Sequence, residues 1–139
     1  MKNYEGIVVI DEAYIDFSAY PSFLKELSGF PNLIVLQTLS KAWGAAGIRL
    51  GMAFASPEII GVLNKIKYPY NVNQLTQEKA LELLSDEATM KHQVNEILTE
   101  RNRLEKILSE PPFSYQVYPS DANFLLVNVA KADAMYNGS

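Results

Sequence analysis

The stretch that decides the fold is residues 33–51, Leu-Ile-Val-Leu-Gln-Thr-Leu-Ser-Lys-Ala-Trp-Gly-Ala-Ala-Gly-Ile-Arg-Leu-Gly. Its first four residues are apolar and predict a buried strand, and polar residues and glycines follow directly. Residues 7–10, Ile-Val-Val-Ile, predict an earlier strand buried on both faces and ending at Asp11. A short helix is predicted between them, over residues 22–27, so the two strands should be parallel and joined by a right-handed crossover.

A third strand is expected over residues 50–55, and it follows too closely for a helical crossover, so it is antiparallel or reached by a loop. Ser56 and Pro57 then predict a helix start. Helices are expected over residues 57–67 and 74–84, and a long one is capped by Asp86 and ends before Pro111. One apolar stripe along the long helix predicts core packing, through Met90, Val94, Ile97, Leu98, Leu104 and Leu108.

The remaining sequence predicts two strands, over residues 114–118 and 123–129, and the start of a helix at residues 132–136. The fold class is therefore α/β, followed by a helix and a smaller α+β unit. We place the boundary near residue 87, giving units 1–86 and 87–139. Because an apolar strand begins almost at once and the chain stops at Gly138-Ser139, just after a helix start, we expect a truncated chain.

Composition excludes several classes of function. The 139 residues carry a net charge of −4 and no cysteine, which excludes disulfides and thiolate metal sites and disfavours nucleic-acid binding. The single histidine, His92, lies in a charged segment and is expected on a solvated helix face, so no transition-metal site is expected. No apolar run is long enough for a membrane span and no signal peptide is visible, so the expected location is cytoplasmic.

Acidic residues follow the first strand, where the backbone fixes them and the core partly desolvates them. Asp11 could bind a cationic ring nitrogen, or Asp11 and Glu12 could hold magnesium in an ATP-binding module. An ordinary turn or helix cap at a strand end explains the same residues. These three interpretations stay open on these residues alone.

The segment after the second strand concentrates groups that suit a phosphate and an aldehyde. Hydroxyls at Thr38 and Ser40 and the guanidinium of Arg49 suit a phosphate, and Lys41 could act as a nucleophile. The P-loop pattern Gly-x-x-x-x-Gly-Lys-Ser/Thr is missing from this segment, which weakens the ATP-binding alternative. A glycine-rich turn with a surface lysine remains the simplest competing interpretation.

The pattern Asp11-x-x-Tyr14, with Ser40-Lys41-Ala42 and Arg49 eight positions after the lysine, closely resembles the fold-type I, class I/II pyridoxal-phosphate-dependent aminotransferases. Within them, residues 11–17, 38–44, 69–73 and 119–124 resemble the histidinol-phosphate aminotransferase subfamily. The resemblance covers essentially the whole chain. It implies the end of the aspartate aminotransferase-like large domain, a connecting helix and part of the small domain.

The resemblance also implies roles for six residues and a cofactor, pyridoxal 5′-phosphate. Lys41 would form the Schiff base and move the proton, Asp11 would pair with the pyridine nitrogen, and Tyr14 would bind the ring 3′-oxygen. Thr38, Ser40 and Arg49 would hold the phosphate. The implied reaction is transamination between an amino donor, histidinol phosphate, and 2-oxoglutarate in histidine synthesis, by an enzyme that is a homodimer when intact.

Several parts of the implied active site would lie outside this sequence. They are an upstream glycine-rich loop and asparagine, a downstream substrate-binding arginine and a tyrosine from the partner subunit. We therefore expect the chain alone to be inactive or nearly so. The alternatives are a sister activity, either an aromatic aminotransferase or a threonine-phosphate decarboxylase, and a stable folding unit that self-associates through exposed apolar surface.

A few further side chains have simpler expected roles. Glu12 is expected to be a structural acid, and Trp43 to pack under the loop or to stack on a ring. The tyrosines at positions 68 and 70 are expected to cover the domain junction or to line a pocket. Arg101 and Arg103 are expected to be surface charges.

Overall fold

The computed structural model describes residues 4–112 and 115–129. Its main sheet has the strand order β1-β2-β3, formed by Val8–Asp11, Leu33–Thr38 and Gly51–Ala55. The predicted parallel pairing of the first two strands is confirmed, as is the antiparallel pairing of the third. The crossover contains a 3-10 helix, Phe23–Gly29, rather than an α-helix. The carboxyl ends of β1 and β2 therefore meet at one edge of the sheet.

The prediction that the first strand is buried on both faces is wrong for the described residues. Along β1 partly buried and exposed residues alternate, and Val9 is 54 % exposed. The reason is its position, because β1 is an edge strand paired with β2 alone in the described sheet. The central strand β2 carries the buried apolar residues instead, at positions 33–35.

Within the described residues, three α-helices follow the sheet, and their predicted starts are confirmed. They are α1 (Pro57–Ile66), α2 (Gln74–Leu84) and α3 (Glu87–Ser109). Each begins at a side chain that accepts a hydrogen bond from a backbone N–H of the first turn: Ser56, Asn73 and Asp86. The helix predicted at residues 132–136 lies outside the described residues.

Besides the buried residues of β2, the described part of the chain has two clusters of buried apolar residues that share Trp43 as a neighbour. One contains Phe17, Ala42, Met90 and Val94, and the other contains Leu39, Ala45 and Ala80. Trp43 is partly buried and packs against both, which confirms its predicted place under the loop. Thus the segment after β2 is held between α2 and the first half of α3.

The apolar stripe of α3 is core only in part. Met90 and Val94 are buried, but Ile97 and Leu104 are 37 % and 41 % exposed. The α3 helix contacts β4 (Gln116–Tyr118). β4 pairs antiparallel with β5 (Leu126–Asn128), and this two-stranded sheet is narrow, so it covers little of the helix. Both strands were predicted, with longer bounds than the structure shows.

Two predictions about polar and aromatic surface residues are wrong. Arg101 is partly buried and donates a hydrogen bond of 2.7 Å to the Ala122 carbonyl, so it ties the loop before β5 to α3. Tyr68 and Tyr70 are each 86 % exposed, so they do not cover a junction among the described residues. Arg103 is a surface charge, as expected, and pairs with Glu100.

His92 is on a solvated face of α3, as predicted, with its side chain 73 % exposed. Within residues 4–112 and 115–129, no helix has the length and apolar character needed to cross a membrane.

Candidate active site

Asp11 and the lysine-bearing segment lie at the same sheet edge because β1 and β2 are parallel. Asp11 is opposite Leu36 in the register, two residues before Thr38 ends β2. One carboxylate oxygen of Asp11 accepts a hydrogen bond of 2.9 Å from the Ala13 N–H, and the side chain is exposed. This N–H contact fixes the carboxylate at the strand end while leaving it accessible to a ligand.

The turn that carries Lys41 is closed by backbone hydrogen bonds. The Gly44 N–H donates to the Lys41 carbonyl at 3.0 Å, and the Ala45 N–H donates to the Leu39 carbonyl at 2.9 Å. Gly44 has a φ of +63°, a left-handed conformation that glycine adopts without cost. Leu39, Ala42 and Ala45 face the core, and Lys41 is exposed. The turn therefore anchors its apolar residues and presents the lysine amine to solvent.

The two hydroxyls proposed for a phosphate are neighbours. Thr38 Oγ1 and Ser40 Oγ lie 3.0 Å apart, and the Ser40 N–H donates to Thr38 Oγ1 at 3.1 Å. Thr38 Oγ1 also lies 3.2 Å from the Leu50 carbonyl, which ties the end of β2 to the start of β3. The hydroxyl pair is thus held by backbone on both sides.

Arg49 directly precedes Leu50, whose carbonyl contacts Thr38, but its guanidinium binds elsewhere. Its φ of +55° is uncommon for a residue with a side chain, and its guanidinium donates to the Ala46 carbonyl at 3.0 Å. The side chain is exposed. A phosphate held by all three residues would need the guanidinium to leave its own turn.

The aromatic ring of Tyr14 lies beside the Lys41 amine. Lys41 Nζ lies over the Tyr14 ring, 5.0 Å from its centroid, which is a cation–π distance. Two aromatic rings contact Tyr14: the Phe17 ring lies 6.4 Å away and is tilted by 43°, and the Phe124 ring, from the loop between β4 and β5, lies 5.5 Å away and is nearly perpendicular, at 83°. Sequence reasoning placed Phe124 in a family-like stretch but missed this contact.

Glu12 is a buried acid that joins the elements carrying the candidate site by hydrogen bonds. It is 6 % exposed, and its carboxylate accepts hydrogen bonds from Ser22 Oγ at 2.6 Å, the Phe23 N–H at 2.7 Å and Gln37 Nε2 at 3.0 Å. A buried carboxylate with three donors is a structural group, as predicted, and not a free acid for catalysis. It joins the end of β1, the start of the 3-10 helix and β2.

An open cavity of about 400 Å³ lies at this edge, a size that suits a small ligand. Asp11, Thr38, Gly51 and Met52 are among its lining residues. In the described part of the chain, no group of three or more Asp, Glu or His side chains is arranged to hold a metal ion. The cavity lining therefore supplies the carboxylate of Asp11 and the hydroxyl of Thr38, while Ser40 and Lys41 follow Thr38 on the adjoining turn.

Comparison with known proteins identifies the family. Residues 1–137 match the family model described as aminotransferase class I and II. The chain belongs to the class I and II aminotransferase family. This confirms the resemblance inferred from the Asp11 and Lys41 motifs, and it favours an aminotransferase over the ATP-binding alternative.

The chain is also similar to individual members of the aminotransferase family. The chain is 99 % identical over 138 residues to a histidinol-phosphate aminotransferase of Parabacteroides distasonis, with 99 % of this chain and 40 % of that protein covered. The histidinol-phosphate aminotransferase of Sinorhizobium meliloti, solved in complex with pyridoxal-5′-phosphate, matches with a TM-score of 0.79 and 30 % identity, over 94 % of this chain and 35 % of that one.

A threonine-phosphate decarboxylase also shares the aminotransferase fold. The L-threonine-O-3-phosphate decarboxylase of Porphyromonas gingivalis matches with a TM-score of 0.77 and 23 % identity, over 89 % of this chain and 38 % of that one. At that identity the likeness shows the fold alone. The chain spans about two-fifths of the length of the curated relatives it matches.

Proposed function

We propose that this chain carries the lysine-bearing part of an enzyme that transaminates histidinol phosphate with 2-oxoglutarate, using pyridoxal 5′-phosphate. The observation that carries the proposal is the placement of Asp11 and Lys41 at the adjoining carboxyl ends of two parallel strands. Ligands of open α/β sheets bind at such ends. The name of the 99 % identical relative supports the choice of substrate.

The groups at this edge fit the cofactor. Its aldehyde needs an accessible amine, and Lys41 is exposed on an anchored turn. Its pyridinium nitrogen needs an anion, and Asp11 has a carboxylate fixed by the Ala13 N–H. Its phosphate needs donors, and the hydroxyls of Thr38 and Ser40 lie together, while Arg49 directly precedes Leu50, whose carbonyl lies 3.2 Å from Thr38 Oγ1.

Each residue then has a distinct task. When bound, pyridoxal phosphate supplies an electron sink for the substrate carbon. Lys41 would hold the cofactor aldehyde and would move a proton at Nζ. Asp11 keeps the ring nitrogen protonated, and Tyr14 donates a hydrogen bond from its phenol to the ring oxygen. The hydroxyls and Arg49 hold the phosphate end.

We assign this activity to a protein of the full length of the relatives, since the chain spans 40 % of the Parabacteroides distasonis protein. We expect the isolated 139-residue chain to be inactive or nearly so. A homodimer, a cytoplasmic location and a domain boundary near residue 87 stay predictions. The alternatives are the sister activities, an aromatic aminotransferase or a threonine-phosphate decarboxylase, and a substrate panel on the full-length protein would separate them.

The experiment that tests the cofactor site is reductive labelling. The protein is mixed with pyridoxal phosphate and reduced with borohydride, and the modified lysines are mapped by peptide mass. We expect stoichiometric label on Lys41, lost in Asp11→Ala and Arg49→Ala, with exposed Lys65 as the internal control. Label spread evenly over the lysines of the full-length protein would contradict the proposal.

A further inference from the structure

The lysine environment includes a residue from a distant part of the chain. Lys41 Nζ lies 5.0 Å from the centroid of the Tyr14 ring, and the Phe124 ring meets Tyr14 edge-to-face at 5.5 Å. Phe124 is 110 positions away from Tyr14 in sequence, and it comes from the loop between β4 and β5. The three side chains form a continuous contact from that loop to the candidate catalytic amine.

The loop that presents Phe124 is held by its own hydrogen bonds and by α3. Ser120 Oγ donates to the Phe124 carbonyl at 2.6 Å and accepts from the Ala122 N–H at 3.1 Å. Arg101 of α3 donates to the Ala122 carbonyl at 2.7 Å. The backbone that carries Phe124 is therefore held in a closed turn anchored on a helix.

Burial alone does not explain Phe124. Its side chain is 56 % exposed, so it is not a core residue of the described structure. An edge-to-face ring contact has a preferred geometry, because the positive rim of one ring faces the negative face of the other. Such a contact restricts how the Tyr14 ring can tilt, and the face of that ring is where Lys41 Nζ lies.

We propose that Phe124 is a positioning residue for Lys41, acting through the Tyr14 ring. It holds the ring plane so that the amine stays over the ring and the Tyr14 phenol stays aimed into the cofactor site. Only the part of this inference that concerns catalysis rests on the proposed function. The arrangement of the three side chains is a property of the protein without cofactor and is testable there.

The test uses the full-length Parabacteroides distasonis relative without cofactor, with substitutions at the matching positions. The proteins are treated briefly with acetic anhydride, and acetylation of Lys41 is measured by peptide mass relative to Lys65. A cation–π contact at an exposed site corresponds to a factor of roughly two to five. In Phe124→Leu we expect the relative acetylation rate of Lys41 to change by about this factor.

Two matched variants separate positioning from a general loss of structure. Phe124→Tyr keeps the ring and should leave Lys41 acetylation as in the parent protein. Tyr118→Leu removes a half-exposed ring from β4 of the same sheet, away from Tyr14, and should also have no effect. If Phe124→Leu does not fold, Arg101→Met releases the same turn from α3 and should reproduce the change at Lys41.

The outcomes are distinguishable. An unchanged Lys41 rate in both Phe124→Leu and Arg101→Met, with the parent protein labelled on Lys41 by pyridoxal phosphate, overturns the inference and leaves the proposed function standing. A changed Lys41 rate in Phe124→Leu supports the inference when Phe124→Tyr keeps the parental rate and Phe124→Leu also binds pyridoxal phosphate more weakly. If pyridoxal phosphate fails to label Lys41 in the parent protein, the proposed function fails. The acetylation result still shows whether Phe124 positions Lys41 through the Tyr14 ring.

Discussion

The buried carboxylate of Glu12 and the side-chain amide of Gln37 are joined by a hydrogen bond of 3.0 Å. Glu12 comes directly after Asp11 and Gln37 directly before Thr38, so this bond joins the two strand ends that present the candidate site. The same carboxylate accepts from Ser22 Oγ and the Phe23 N–H. One buried acid thus fixes the backbone next to two candidate site residues, Asp11 and Thr38.

Replacing Glu12 should destabilise the fold more than a surface acid would. Glu12→Leu leaves the Phe23 N–H and Gln37 Nε2 without their acceptor, and an unsatisfied buried donor costs about 1–3 kcal/mol. We expect the free energy of unfolding to fall by roughly 2–4 kcal/mol, measured by urea denaturation. Glu26→Gln, on the exposed face of the same 3-10 helix, is the control and should change little. Equal losses would show that the network is not a structural anchor.

The packing of α3 on the lysine turn gives a second prediction. Met90 is 8 % exposed and lies in one cluster with Ala42, the residue after Lys41. Met90→Ala should lower the free energy of unfolding by about 2–4 kcal/mol, since it leaves a cavity in that cluster. Leu104→Ala, on the half-exposed part of the same helix, should cost clearly less. Hydrogen exchange should show residues 87–98 opening together with the lysine turn, and separate opening would contradict this coupling.

Sequence patterns predicted most of the elements because each depends on local chemistry. Ser56 with Pro57 marks a helix start through a cap and a fixed φ, and Asp86 does so through its side-chain acceptor. The apolar run of β2 is buried as expected, since it lies between two partners. These signals act within a few residues and need no knowledge of the rest of the fold.

The errors arise where burial depends on what lies beside an element. Residues 7–10 are as apolar as a central strand, but β1 has one described neighbour, so half of its residues face solvent. The tyrosines at positions 68 and 70 follow the same rule, because no described element packs over them. Hydrophobicity predicts which residues tend to be buried and does not say which neighbour covers them.

The sequence predicted the candidate site residues and the structural roles of Glu12 and Trp43, but it did not predict the contacts of Arg101 and Phe124. The Asp11 and Lys41 motifs were visible because the family pattern and the strand ends coincide. The contacts of Arg101 with Ala122 and of Phe124 with Tyr14 join residues more than 20 positions apart. A single sequence contains no periodic or capping signal for such tertiary pairs.

Arg101 and Arg103 are a matched pair of residues for testing the contact between Arg101 and the Ala122 carbonyl. Arg101→Ala removes a charged donor from the partly buried Ala122 carbonyl, and we expect a loss of about 1–2 kcal/mol in the free energy of unfolding. Arg103→Ala removes an exposed pair with Glu100 and should have no resolvable effect. Limited proteolysis should also cut the loop at residues 119–124 faster in Arg101→Ala alone. Equal behaviour of the two variants would show that the Ala122 contact contributes nothing.

The cap of α3 gives a pH-dependent prediction. Hydrogen bonds from the Thr89 side chain and backbone N–H hold the pKa of Asp86 below its ordinary value of 3.8. A depressed carboxyl pKa adds stability above the unfolded pKa, and this stability is lost as the pH falls through the folded pKa. Asp86→Asn keeps a capping side chain that does not titrate. The stability advantage of the parent chain over Asp86→Asn should therefore shrink below pH 3.8, and a gap independent of pH would be inconsistent with a charged cap.

The role proposed for Asp11 predicts a loss of activity without a loss of fold. Asp11→Asn keeps the size and one acceptor for the Ala13 N–H but removes the charge that would hold the ring nitrogen protonated. A hydrogen bond to a charged group is worth about 1.5–3 kcal/mol, so kcat/KM of the full-length protein should fall roughly 10- to 100-fold. Because Asp11 is exposed, unfolding by urea should be nearly unchanged. Steady-state kinetics with histidinol phosphate and 2-oxoglutarate measure the first effect. Full activity in Asp11→Asn would exclude the carboxylate as the partner of the ring nitrogen, while a parallel loss of stability would make its role structural.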